Sequence, residues 1–224
     1  MGKIEKIYEN LKTNNENLPQ EVHFFFNWLL MSNLEIITES RFTTVFIIKM
    51  LYAFMCGAHL DSIINEIREL EKPSKHYKRM KPATKFIKQP LEGLWHKHYE
   101  QVGLKSMAMN IKQQMGLNNK QQKIFNNTFF KEFCDIFNNS EIPQDKRIEA
   151  LGYLCSGKQY IDRINDGKLT GEWIIYHHCN GKNYYLNVGN HSDGDDALAQ
   201  EIREIALFEF PFLKGVYLSS INSV

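Results

Sequence analysis

Residues 95–99 read Trp95-His96-Lys97-His98-Tyr99, five side chains in a row able to take part in chemistry. On a strand, His96 and His98 project from one face and Trp95, Lys97 and Tyr99 from the other. Three more histidines, His177, His178 and His191, lie further along the chain. Imidazole is the side chain best suited to moving protons near neutral pH. Cleaving RNA without a metal needs a base for the 2′-hydroxyl, an acid for the leaving oxygen and a cation for the phosphorane charge. Two histidines and a lysine meet that need. We therefore expect His98 and His178 as the proton-transfer pair, with His96 beside them and Lys97 holding phosphate charge. His191 orients or replaces one of the pair. The same H-x-H pattern also offers two zinc ligands, with His178, His191 or Asp193 as a third. That zinc-dependent hydrolase is the third reading.

The element that must position this chemistry is residues 171–190, GEWIIYHHCNGKNYYLNVGN. Two runs rich in aromatic and β-branched residues flank Asn180-Gly181, the dipeptide of a type I′ turn. A two-residue turn pairs Cys179 with Lys182, His178 with Asn183, His177 with Tyr184 and Tyr176 with Tyr185. Alternation then gives two faces. Trp173, Ile175, His177, Cys179, Tyr184, Leu186 and Val188 make the expected core face. Glu172, Ile174, Tyr176, His178, Asn183, Tyr185 and Asn187 make a mixed face, on which Tyr176 and Tyr185 are expected to contact substrate. The helix at 197–208 presents Leu198, Ile202, Ile205 and Ala206 for packing on the core face, and 216–218 suggest a closing strand.

The rest of the chain divides by charge and periodicity. Net charge is +1, yet residues 72–123 carry 12 Lys and Arg against 2 acids, while residues 1–71 carry 6 against 10. A basic segment of that strength suits phosphate-bearing partners. Lys78, Arg79, Lys81 and Lys85 are the candidate phosphate contacts, among three prolines (Pro73, Pro82, Pro90) that make the stretch irregular. Residues 1–71 read as helices, at 1–17, 21–31, 41–59 with a cap among Thr38, Glu39 and Ser40, and 61–71. Further helices are expected at 102–115, 119–137 and from Pro143 through Leu154. The expected architecture is α+β: a helical N-terminal part (1–71), a basic middle segment, and a C-terminal antiparallel hairpin plus helix in a small sheet, with 72–224 as the catalytic or binding domain.

Several classes are excluded. The sequence has no phosphate-binding glycine loop, nucleophile elbow, HExxH or kinase signature. The Asp-rich loop at 193–196 lacks calcium-loop spacing. The run 42–60 is broken by Lys49 and His59 and reads as a buried helix rather than a membrane span. The N-terminus is polar and does not read as a signal peptide. Cys56, Cys134, Cys155 and Cys179 form no CxxC pair, which fits a reducing cytoplasm. No cofactor is called for.

Helices followed by a short antiparallel sheet, with a strand–turn–strand unit reading EWIIY–NG–KNYYLNV and a histidine just beyond, resemble the small metal-independent nucleases grouped with barnase, EndoU, colicin E5 and RelE. The resemblance covers Leu91–Tyr99 and Gly171–Phe212. It implies a ribonuclease of toxin or phage-conflict type, with RNA rather than DNA as partner. EndoU-like members use two histidines and a lysine. The long helical segment between Tyr99 and Gly171 departs from their compact layout. The alternative from another class is a non-catalytic module that binds nucleic acid or a protein partner.

Overall fold

The computed structural model describes residues 1–75, 80–100, 104–116, 127–169, 171–189 and 193–215. The architecture is α+β, rich in helix, with one four-stranded antiparallel sheet. The chain forms two compact units. Unit one comprises residues 1–77, 82–101 and 171–224, and unit two residues 78–81 and 102–170. A boundary at 71/72 therefore falls inside unit one.

In unit one, five helices precede the sheet: α1 (Lys3–Asn14), α2 (Gln20–Met31), α3 (Leu34–Thr38), α4 (Thr44–Met55) and α5 (Leu60–Glu71). The sheet runs β1 (Thr84–Lys85), β2 (Trp95–Tyr99), β3 (Glu172–Cys179) and β4 (Lys182–Gly189), in that spatial order. Among the described residues no helix is long and apolar enough to cross a membrane. Buried α4 residues Phe46, Ile47 and Met50 instead face the core.

The hairpin forms as its turn dictates. Asn180 and Gly181 adopt φ of 51° and 74°, and the four expected pairs next to the turn are present. Beyond Tyr176–Tyr185 a bulge shifts the register, so Ile175 faces Asn187 and Ile174 faces Val188. Both sheet faces are buried as a result. Ile174, Tyr176, Tyr185 and Val188 join the larger core with α1, α2, α4 and α5. Ile175 and Leu186 pack against Leu198, Ala199, Ile202 and Ala206, supplied by α10 (Asp195–Glu201) and the π-helical turn after it. The face expected to be mixed and ligand-ready is thus the principal core face. Val188 changes sides because the extra residue at the bulge inverts the alternation beyond it.

The open edge of β4 is covered by residues 41–43. Thr43 N–H donates to the Tyr185 carbonyl (2.9 Å) and Tyr185 N–H to the Arg41 carbonyl (2.8 Å). The Thr43 hydroxyl donates to the Leu186 carbonyl (2.7 Å) and accepts from Phe46 N–H (3.0 Å), so one oxygen caps α4 and binds it to the sheet edge. Thr43, rather than Thr38, Glu39 or Ser40, is therefore the cap. At α10 the cap is Gly194, and neither Asp195 nor Asp196 caps it through a side chain.

Four residues lock the hairpin to the helices. Glu71 accepts from Arg41 Nη2 (2.8 Å), the Tyr185 hydroxyl (2.8 Å) and Asn183 Nδ2 (3.4 Å). Unit two contains α6 (Leu104–Gln114), α7 (Asn127–Asn138), α8 (Gln144–Tyr153) and α9 (Gln159–Asn165). A π-helical turn joins α8 to α9, and Gln159 Nε2 donates to the Leu154 carbonyl within it (3.0 Å). Residues 119–126 of the expected helix, and 216–218, lie outside the described residues. Removing one partner of a buried ion pair leaves the other charge unpaired. Glu71→Ala is therefore expected to lower the unfolding free energy in urea by about 3 kcal/mol. Tyr185→Phe, which removes a single donor, should cost about 1.5 kcal/mol; equal small losses in both would contradict the lock.

Candidate functional site

Strand β2 places its residues as alternation requires. His96 and His98 share one face, with ring centroids 5.5 Å apart and planes 83° to each other. Register sets Thr84 opposite His96 and Trp173 opposite His98. The Thr84 hydroxyl lies 3.0 Å from His96 Nε2. The Phe86 and Trp173 rings lie 4.4 and 5.5 Å from His96, centroid to centroid. His98 Nδ1 is 2.7 Å from the Gly171 carbonyl oxygen and 3.4 Å from the Gly171 nitrogen. Both contacts cannot be hydrogen bonds in one tautomer, and the shorter decides: Nδ1–H donates to the carbonyl. In the neutral ring this assigns the lone pair to Nε2.

Lys97 points to the opposite face. Its ammonium is 3.1 Å from Glu66 Oε2 of α5, and the two side chains are 9% and 1% exposed. It is a core ion pair and does not share a site with His98.

His178 is also elsewhere. It lies five residues along β3 from Trp173, the partner of His98, which is about 16 Å at the strand rise. It also occupies the opposite face, at the hairpin tip, where its Nδ1 is 2.8 Å from Asn183 Oδ1. The structure therefore does not bring His98 and His178 to one bond. It brings together His96, His98, Thr84, Phe86 and Trp173.

The expected substrate contacts divide similarly. Tyr185 is fully buried, and burial with the Glu71 charge pushes its pKa far up. Tyr176 is buried too, and burial pushes its pKa up to about 12. Both are core side chains. Lys85 is exposed on β1, and Lys81 is exposed in unit two. His191, Lys78 and Arg79 lie outside the described residues.

His177 is half-buried on the His96 face, and its Nδ1 has no partner among the described residues. Burial, the neighbouring His178 and Lys85 lower its pKa, in that order. Among the described residues no group of three His, Cys, Asp or Glu is placed to hold a metal ion.

Two participants escaped the sequence reading, whereas Phe86 was legible as an aromatic among the basic residues that could stack on bases. Thr84 needed the β1 register, which a two-residue strand does not announce. Glu66 was legible in part, since it falls three residues after Ile63 and four before Leu70, on the buried stripe of α5.

Fold and site together define an α+β protein whose antiparallel sheet is covered on both faces and carries a paired-histidine, aromatic patch beside β1. Compared with protein-family models, curated proteins and solved structures, the chain matches none.

Two outcomes follow from this geometry. Lys97→Met should cost about 3 kcal/mol in urea unfolding, and the Lys97→Met/Glu66→Met double variant should recover most of it. An unchanged Lys97→Met would place the ammonium outside the core. For His177 the folded pKa lies below the ordinary value of about 6.5, so the unfolded chain binds more protons between the two. That stability is present above pH of about 6.5 and is lost as pH falls through the lowered pKa. Subtracting the stability-against-pH curve of His177→Gln from that of wild type should show this rise; parallel curves would reject it.

Proposed function

We propose that the protein acts on nucleic acid as a metal-independent ribonuclease, with His96 and His98 as its proton-transfer pair. The observation that carries this reading is the two imidazoles side by side on one sheet face, 5.5 Å between centroids. His98 Nε2, basic in the assigned tautomer, takes the 2′-hydroxyl proton. The 2′-oxygen then attacks phosphorus, the 5′-oxygen leaves, and protonated His96 supplies its proton. The products are a 2′,3′-cyclic phosphate and a free 5′-hydroxyl. Lys85, on β1 opposite Trp95 and close enough for its charge to act on His177, is the cation of this reading. Phe86 and Trp173 offer ring faces for bases. The basic segment 72–123 draws the phosphates in. A toxin or phage-conflict role in the cytoplasm follows from the resemblance to the barnase/EndoU group and is part of the same proposal.

A second reading is a module that binds nucleic acid without turnover. It is favoured by the burial of Lys97 against Glu66 and by the removal of His178 from His98, which together take two expected groups out of the chemistry. A zinc-dependent hydrolase through His96, His98 and a third ligand is tested by metal analysis of protein purified without a His-tag.

The deciding experiment incubates purified protein with RNA in EDTA. His96→Ala and His98→Ala should each slow cleavage by about a hundredfold or more, while His178→Ala stays within about twofold of wild type. Wild-type rates in the first two variants would remove the pair. Binding that falls steeply with salt, without cleavage by wild type, would establish the second reading.

A further inference from the structure

Unit two buries one charged side chain among its described residues, Arg163, at 6% exposure. It lies in the last turn of α9 and reaches α6. Its Nε donates to Asn110 Oδ1 (2.9 Å), Nη1 to Gln114 Oε1 (3.5 Å) and Nη2 to Gln113 Oε1. All three acceptors are neutral amides. Among the described residues no carboxylate lies within ion-pair distance of the guanidinium. The nearby acid, Asp166, is exposed and paired at 2.8 Å with Lys168. Lys81, an exposed residue of the same unit, is tied by its backbone N–H to the carbonyl of Leu169 (3.3 Å), shortly after Arg163 in the chain, and the Arg163 charge acts on it.

A cation taken out of water without an opposite charge is strongly disfavoured. The C-terminal ends of α6 and α9 offset part of this, at about half a charge each. They do not make a counter-ion. Consistently, burial holds Arg163 below the usual arginine range and Asp166 alone acts against it. The guanidinium carries five N–H donors, of which three are used here. The edge formed by Nη1 and Nη2 is the fork that matches two oxygens of a phosphate. On that edge sit Gln113 and Gln114, both partly exposed, whereas Asn110 on Nε is buried.

We propose that Arg163, with Lys81 beside it, forms an oxyanion site for a phosphate group. Two phosphate oxygens replace the amide oxygens of Gln113 and Gln114 on the guanidinium fork, and Asn110 holds Nε in place. The site lies in unit two and is independent of the reading given to His96 and His98. The phosphate is either free or part of a nucleic-acid backbone.

Calorimetry on the full chain separates these sources, with inorganic phosphate in one arm and a single-stranded RNA lacking terminal phosphates in the other. Wild type should bind phosphate. Arg163→Lys, which keeps the charge and loses the fork, should bind about tenfold more weakly or worse. Gln113→Ala/Gln114→Ala, which removes the internal competitors, should bind as tightly or more tightly. RNA binding weakened by Arg163→Lys identifies a backbone phosphate; RNA binding unaffected while phosphate binding falls identifies a free one. No phosphate binding by wild type, equal binding by Arg163→Lys, or binding abolished by the double glutamine variant overturns the site. If Arg163→Lys does not fold, the double glutamine variant decides. The histidine variants used for RNA cleavage leave phosphate binding unchanged, so the two proposals fail separately.

Discussion

Two carboxylates on one helix hold unit one together. Glu66 and Glu71 both project from α5 toward the sheet, and each meets a cation that would otherwise be stranded. Glu66 answers Lys97 on β2, and Glu71 answers Arg41 in the segment bordering β4. Glu71 also binds Tyr185 and Asn183, so one acid joins an arginine to two residues of the hairpin. A charge buried this deeply is tolerable only when its opposite is fixed within contact distance. The requirement fixes the height and rotation of α5 against the strands more tightly than apolar contact alone, which tolerates sliding.

With α5 fixed, the division of labour between the sheet faces follows. One face is taken by the helices of residues 1–71 and the other largely by α10 and the turn after it. Every side chain on β3 and β4 then belongs to a core unless it sits at the hairpin tip or near β2. That leaves little room for chemistry on the hairpin itself. The polar groups retaining partial exposure gather where the second covering layer thins, at His96, Thr84 and Trp173. The patch is thus defined by where packing stops.

The hairpin was legible because Asn180-Gly181 fixes both turn and register over four residue pairs. The face expected to be core packs on α10 and the turn after it, as expected, but the face expected to be mixed is a core face as well. Alternation sorts residues into two sets but does not say which set meets the heavier layer, and here both are covered. The bulge between Tyr176 and Ile175 has no mark in the residues, so the side change of Val188 could not be read. The divergence of Lys97 from His96 and His98 was legible from strand alternation. A catalytic lysine and a structural one look alike in sequence until the partner, here Glu66, is known. The cap at Thr43 was missed for a related reason: its hydroxyl is claimed by the Leu186 carbonyl, a contact made across 143 positions of chain.

Charge placement also separates the two units. The buried cations of unit one, Lys97 and Arg41, each rest against a glutamate. Arg163 in unit two rests against amides, with similar burial. Amide oxygens satisfy donors without cancelling charge, so the field of Arg163 persists where those of Lys97 and Arg41 are closed off. The same chain therefore holds both solutions to one electrostatic problem. The first ends inside the fold and yields rigidity. The second leaves a guanidinium at α6 and α9 held by amides, with no carboxylate paired to it among the described residues.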